Sequence, residues 1–131
     1  MAVPLALTES LRRVAAATPF VQTLILYGSR ARDEARPDSD WDFGYIGERG
    51  LDVDGLLAQL IETLGTDRVD LVDLDRASGL LRYRAARDGR LLYERADGMA
   101  DAFRLAAVAF WCDTAPLFED AYEGILETLD R

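Results

Sequence analysis

The sequence predicts an α+β (α/β) domain: a small mixed sheet with helices on one face, followed by C-terminal helices. Three stretches carry that expectation. Val21 to Tyr27 (VQTLILY) is an apolar, β-rich run that stops at Gly28 and reads as a buried strand. Asp40 to Ile46 (DWDFGYI) alternates strictly between the two faces of a second strand. Leu56, Leu57, Leu60, Ile61 and Leu64 repeat at helical spacing between Asp54 and Thr66, with Gly65 as the C-cap.

The other elements fall around these. A first helix is expected to start at Thr8, whose hydroxyl can cap its first turn, and to run through Leu11 and Val14 to about Ala17. Asp33–Ser39 and Gly47–Asp54 hold Gly or Pro among charges and read as loops. Arg68 to Leu74 is a third strand, Ser78 to Asp88 a helix stopped by Gly89, and Arg90 to Glu94 a short fourth strand. From about Gly98 to Arg131 the pattern is helical, with a break or kink expected near Thr114–Pro116 because proline has no amide proton. The 131 residues fit a single domain, with a core of about 20–95 and a helical part of about 98–131.

Composition removes several chemistries. Histidine, lysine and asparagine are absent, so His-based triads, His-ligated zinc, Schiff-base lysine and the P-loop lysine are all excluded. All 15 basic residues are arginine. The net charge of −9 is wrong for a module that binds duplex nucleic acid by neutralising phosphates. Cys112 is the only cysteine, so no intrachain disulfide forms and a reducing cytoplasm is expected. No apolar stretch approaches the ~20 residues of a membrane span, and the first eight residues lack the basic start of an export signal.

The chemistry concentrates in Gly28-Ser29-Arg30-Ala31-Arg32 and, after it, Asp38-Ser39-Asp40-Trp41-Asp42. A strand that ends in Gly-Ser lets the backbone turn sharply and brings amides and a hydroxyl to an anion, while Arg30 and Arg32 offer fixed positive charge to a polyphosphate. An ordinary turn uses the same Gly-Ser, so this element alone decides nothing. Asp40 and Asp42 are two apart on a strand and project from one face, with Trp41, Phe43 and Tyr45 on the other. Two carboxylates ~7 Å apart repel, and a hard divalent cation such as Mg²⁺ relieves that repulsion. A solvated edge strand carries the same pattern. In Arg68-Val69-Asp70-Leu71-Val72-Asp73, Asp70 joins Asp40 and Asp42 if Val69 and Leu71 face the helices; a β-bulge would exchange Asp70 for Asp73. Asp73 and Asp75 otherwise read as turn residues or a helix cap.

Gly28-Ser29, ten residues, then Asp40-x-Asp42 resembles the signature of the DNA polymerase β-type nucleotidyltransferases. The string GSRARDEARPDSDWDFGY, with VDLVDL and DGRLLYER downstream, is similar to their small prokaryotic branch, the minimal nucleotidyltransferases (MNT). The similarity covers most of Leu24 to Glu94. It implies a polymerase β-like fold, with Gly28 and Ser29 on phosphate, Asp40 and Asp42 as shared Mg²⁺ ligands, and Asp70 as the third carboxylate. Arg30 and Arg32 would hold the leaving pyrophosphate, and a second ion about 3.5–4 Å from the first would be shared with Asp70. Members of this branch are antitoxins that transfer AMP from ATP to a tyrosine hydroxyl of a HEPN ribonuclease toxin, which implies a hetero-oligomer. Two positions depart from the pattern: Asp33 stands where glycine is frequent, and Trp41 where a branched aliphatic is usual. Asp33 can adopt a left-handed turn, and Trp41 faces the core.

Two other functions fit the same residues. One is a nucleotidyltransferase with a small-molecule acceptor, of the aminoglycoside-modifying kind, although such enzymes carry a further helical domain. The other is a non-catalytic antitoxin that masks its partner. The remaining notable residues read as structural: Arg82, Arg84, Arg87 and Arg90 as a solvated helix face, Arg36 and Asp38 as shaping a loop around Pro37, and Cys112 as packing. Ala107 to Trp111, with Phe118, Tyr122, Ile125 and Leu129, is expected to cap the core.

Overall fold

Four helices and four strands follow in the order α1 (Leu5–Ala17), β1 (Val21–Tyr27), β2 (Trp41–Gly47), α2 (Val53–Leu64), β3 (Val69–Asp73), α3 (Gly79–Asp88), β4 (Arg90–Glu94) and α4 (Met99–Asp130). This computed structural model describes residues 3–130, with side chains described as far as Thr114. The strands form one mixed sheet in the order β3-β2-β1-β4, antiparallel except for the β2–β3 pair. That parallel pair needs a crossover, which α2 supplies.

Strand parity sorts the apolar residues onto two faces. Leu24, Leu26, Trp41, Phe43 and Tyr45 pack with Leu11 and Ala15 of α1 and Leu56 and Leu60 of α2. Ile25 faces the other way, against Ala85 and Ala86 of α3, Phe103 and Ala107 of α4, and Leu74. Leu74 lies across Gly44, where a Cβ would meet the leucine side chain at 2.7–2.8 Å. The helices expected on one face are therefore α1 and α2, and α3 with the start of α4 covers the second face over β1. The N-terminal ends of β2 and β3 stay uncovered on that second face, which leaves Asp70 exposed and Asp42 half-buried.

The element ends show which local signals govern. Gly65 adopts φ +70 and closes α2, as its position predicts, and Asp52 caps the start by accepting a hydrogen bond from the Gly55 amide (3.0 Å). Ser78 likewise caps α3 through the Leu81 amide (3.2 Å). Thr8 is not a cap. The helix begins earlier, behind Pro4, and the Thr8 hydroxyl donates to the Pro4 carbonyl at 3.2 Å. Proline has the fixed φ that an incoming helix needs, and that signal wins here.

The break expected near Thr114–Pro116 is absent, since α4 runs unbroken from Met99 to Asp130. Proline removes one hydrogen bond and crowds the preceding turn, and the helix continues across that defect. Cys112 is exposed rather than packed, and so are Leu105, Val108 and Phe110. The expected capping by Phe118, Tyr122, Ile125 and Leu129 lies outside the residues with described side chains. Among the described residues no helix is long and apolar enough to cross a membrane.

Gly44→Ala tests the packing of Leu74 on β2. Leu74 is fully buried and has nowhere to retreat, so the variant should lose about 1–3 kcal/mol of stability in urea unfolding. Stability equal to wild type would show that this contact is slack.

Candidate active site

The site gathers where β1 ends and β2 and β3 begin. Tyr27 pairs with Asp42 across β1–β2, and Asp42 pairs with Asp70 across β2–β3, so the three side chains share one face in a single row. The β2–β3 register runs from Trp41↔Val69 to Tyr45↔Asp73 without a shift. No bulge exchanges Asp70 for Asp73. Asp73 instead accepts the Asp75 amide at 3.0 Å, as a turn residue does. Asp40 stands one residue before β2 and is exposed.

Gly28 joins the row to the turn behind it. Its φ is +74, and a Cβ there would collide with the Asp42 carboxylate. Only glycine permits both the turn and the approach. The Gly28 carbonyl then accepts the amides of Ala31 (3.1 Å) and Arg32 (3.3 Å), and the Ser29 carbonyl accepts that of Glu34 (3.0 Å). The segment expected as a helix start is thus a compact run of turns from Ser29 to Asp33. Among the described residues no protein acceptor receives the amides of Ser29 and Arg30, and the Ser29 hydroxyl has none either. Consecutive free amides in such a turn make an anion-binding concavity.

The two arginines of this segment part company. Arg30 lies over the Trp41 ring at 4.2 Å and donates to the carbonyls of Ser39 (2.8 Å), Arg36 and Pro37 (3.4 Å each). Trp41 projects from the opposite face of β2 to Asp42. In this arrangement the Arg30 guanidinium braces the loop before β2 through Nη2, and the expectation that it holds polyphosphate is neither met nor overturned by these contacts. Arg32 is half-exposed, pairs with Glu34 at 3.1 Å, and acts electrostatically on Asp42.

Electrostatics mark Asp42 as the centre. Burial raises its pKa most, then the charges of Asp70 and Asp40, while Arg32 opposes them. Tyr27 is pushed up to about 12, by burial first and then by Asp42 and Asp70, so its phenol stays neutral. Like charges this close have no structural reason to assemble. Carboxylate oxygens on rigid strands are the donor set of a hard divalent cation, and the mutual repulsion at Asp42 is what such a cation relieves. The residues fit Mg²⁺ chemically, although among the described residues no three acidic side chains are drawn together as a closed cluster.

The chain matches the family model "Polymerase beta, Nucleotidyltransferase" over residues 9–98, more than half of its length. It belongs to the polymerase β nucleotidyltransferase family. A curated relative, protein adenylyltransferase MntA of Aphanizomenon flos-aquae, is 32% identical over 138 residues, covering 95% of this chain and 91% of that protein. Among solved structures, a chain of a toxin–antitoxin complex with AMP-PNP superposes with a TM-score of 0.76 at 21% identity, over 91% of this chain and 98% of that one. A chain from the complex of tri-AMPylated Shewanella oneidensis HEPN toxin with MNT antitoxin gives a TM-score of 0.70 at 20% identity, over 92% and 97%. These likenesses place the whole α1–α4 arrangement in the polymerase β-like fold.

Sequence reading missed Tyr27, Arg68 and Arg90. Tyr27 carried a signal, since it ends β1 immediately before Gly28, but its partner depended on strand register. Arg68 donates to the Asp38 carbonyl at 2.8 Å across 30 residues, and Arg90 reaches the Gly28–Asp33 turn across more than 50. No local pattern announces such contacts.

The folded protein holds the Asp42 proton more tightly than the unfolded chain. Ionised Asp42 therefore lowers stability above the carboxylate range, and the deficit vanishes as pH falls through the raised folded value. Without divalent cations, Asp42→Asn should melt above wild type at neutral pH, with the two melting temperatures converging on acidification. A variant that melts lower at neutral pH would contradict this electrostatic picture.

Proposed function

We propose that this nucleotidyltransferase moves AMP from ATP to a tyrosine hydroxyl of a partner HEPN-type toxin, and that this transfer is how it acts as an antitoxin in the cytoplasm. The observation that carries the reading is the in-register pair Asp42–Asp70 beside the Gly28–Ser29 turn: carboxylates for a metal adjoin open amides for a phosphate. The relatives support the direction of the inference. One is named a protein adenylyltransferase, and a similar chain occurs in a complex with an AMPylated toxin.

Each residue then has a task. Mg²⁺, expected as two ions, supplies positive charge to the triphosphate and lowers the pKa of the acceptor hydroxyl. Asp40, one residue before β2, and Asp42 within it would hold it, and Asp70 would contribute from β3. The Gly28 turn, the free amides of Ser29 and Arg30, and the Ser29 hydroxyl hold the phosphates that depart as pyrophosphate. Arg32 offsets their charge. The acceptor oxygen bonds to the α-phosphorus, the bond from that phosphorus to the bridging oxygen of pyrophosphate breaks, and exposed Asp70 takes the hydroxyl proton. Half-buried Tyr27 forms the neutral floor beside Asp42 and Asp70.

Incubation of the chain with its toxin partner, labelled ATP and Mg²⁺ tests the proposal. The expected result is a gain of one or more AMP masses on a partner tyrosine. Complex formation without mass gain would favour masking, and label on a small acceptor alone would favour the aminoglycoside-type activity; either result overturns the proposal. Asp42→Asn should reduce transfer by more than about a hundredfold while its circular dichroism remains that of wild type. Near-normal transfer would remove Asp42 from the metal site.

A further inference from the structure

Among the described residues, Asp33 is one of two non-glycine residues with positive φ, at +59, in a conformation that costs an L-amino acid strain. It closes the turn that begins at Gly28. Arg90, the first residue of β4, holds the second half of this turn at two points: Nε donates to the Ala31 carbonyl at 2.8 Å, and Nη2 donates to Asp33 Oδ2 at 2.8 Å. Arg90 is itself anchored, because its backbone pairs with Leu26 in β1. The guanidinium thus ties the turn to the sheet that carries Asp42. Between the two anchored points and Gly28 lie the open amides of Ser29 and Arg30.

We propose that Arg90 is a positioning residue for nucleotide: by holding Asp33 left-handed and fixing the Ala31 carbonyl, it aims the Ser29 and Arg30 amides at the phosphates. This rests on the reading of the Gly28–Ser29 turn as a phosphate cradle. The Arg90–Asp33 pair is half-exposed, so its worth as an ion pair is small; its effect is on the shape of the turn. Loss of Arg90 leaves Asp33 strained without a partner, and the turn relaxes. Replacing Asp33 with glycine removes the strain and lessens the need for Arg90.

Isothermal titration with AMP-PNP and Mg²⁺ measures the effect without turnover. Arg90→Ala should weaken binding about five- to tenfold, the size of one ordinary hydrogen bond. In AMP transfer it should raise KM for ATP by a similar factor and leave kcat within about twofold. The double variant Asp33→Gly/Arg90→Ala should recover most of the lost affinity, which a purely global loss of stability would not do. If Arg90→Ala fails to fold, Arg90→Lys carries the test: it keeps the charge, cannot make both bonds, and should bind at least about threefold more weakly. Unchanged affinity in the folded Arg90 variant, or no recovery in the double variant, overturns the proposal while leaving the cradle in place. Absence of AMP-PNP binding by the wild-type protein overturns the cradle and this proposal together.

Discussion

Everything at the site depends on the closeness of Gly28 to the Asp42 carboxylate. The antiparallel pairing of Tyr27 with Asp42 sets it, because the residue after Tyr27 must turn away directly over the first turn of β2. A side chain at position 28 would displace the carboxylate or the strand. With glycine there, the open amides of Ser29 and Arg30 follow β1 directly and lie beside the Asp42 carboxylate of β2. The strand spacing, ~4.8 Å, sets where that turn starts relative to Asp42, and the turn's own conformation sets the rest. A third strand, parallel to the second, adds Asp70 in the same row and extends the arrangement without another loop.

Much of this was legible in the chain because period-two patterning is strict in β2 and β3. Trp41, Phe43 and Tyr45 had to face the helices, and Val69 and Leu71 had to match them; Asp42 and Asp70 then shared the opposite face by parity alone. The strand ends came equally directly from Gly28, and the close of α2 from Gly65. What parity could not supply was register, so Tyr27 went unassigned although its face was determined. Arginine use was the other gap. A guanidinium reaches far enough to bond carbonyls from distant segments, and nothing local distinguishes an arginine that reads phosphate from one that braces a loop. The loop contacts of Arg30 went unforeseen for that reason, and Arg90 was absorbed into a solvated run.

The arginines also resolve an apparent conflict of charge. Under the proposed function, a protein with net charge −9 holds a polyanion beside three carboxylates. Among the described residues near the site, Arg30, Arg68 and Arg90 donate to the carbonyls of Ser39, Asp38 and Ala31. Backbone amides and a divalent cation would then supply most of the attraction for phosphate, with Arg32 as a modest supplement. Such a site is electrostatically unfavourable when empty, which is what the raised pKa of Asp42 expresses. Binding of metal and nucleotide together removes a penalty that either alone would only partly relieve, so the two should bind cooperatively.

The same economy bears on the acceptor. α1 and α2 cover one face of the sheet, and α3 with the start of α4 covers half of the other, so the uncovered half holds the carboxylate row and little else. Asp70 is exposed at this edge. Under the proposed function, such an open carboxylate suits a tyrosine presented on a folded partner, whose own surface would complete the acceptor site. Specificity would then reside in the fit between the two proteins, while the chemistry stays with the strand ends.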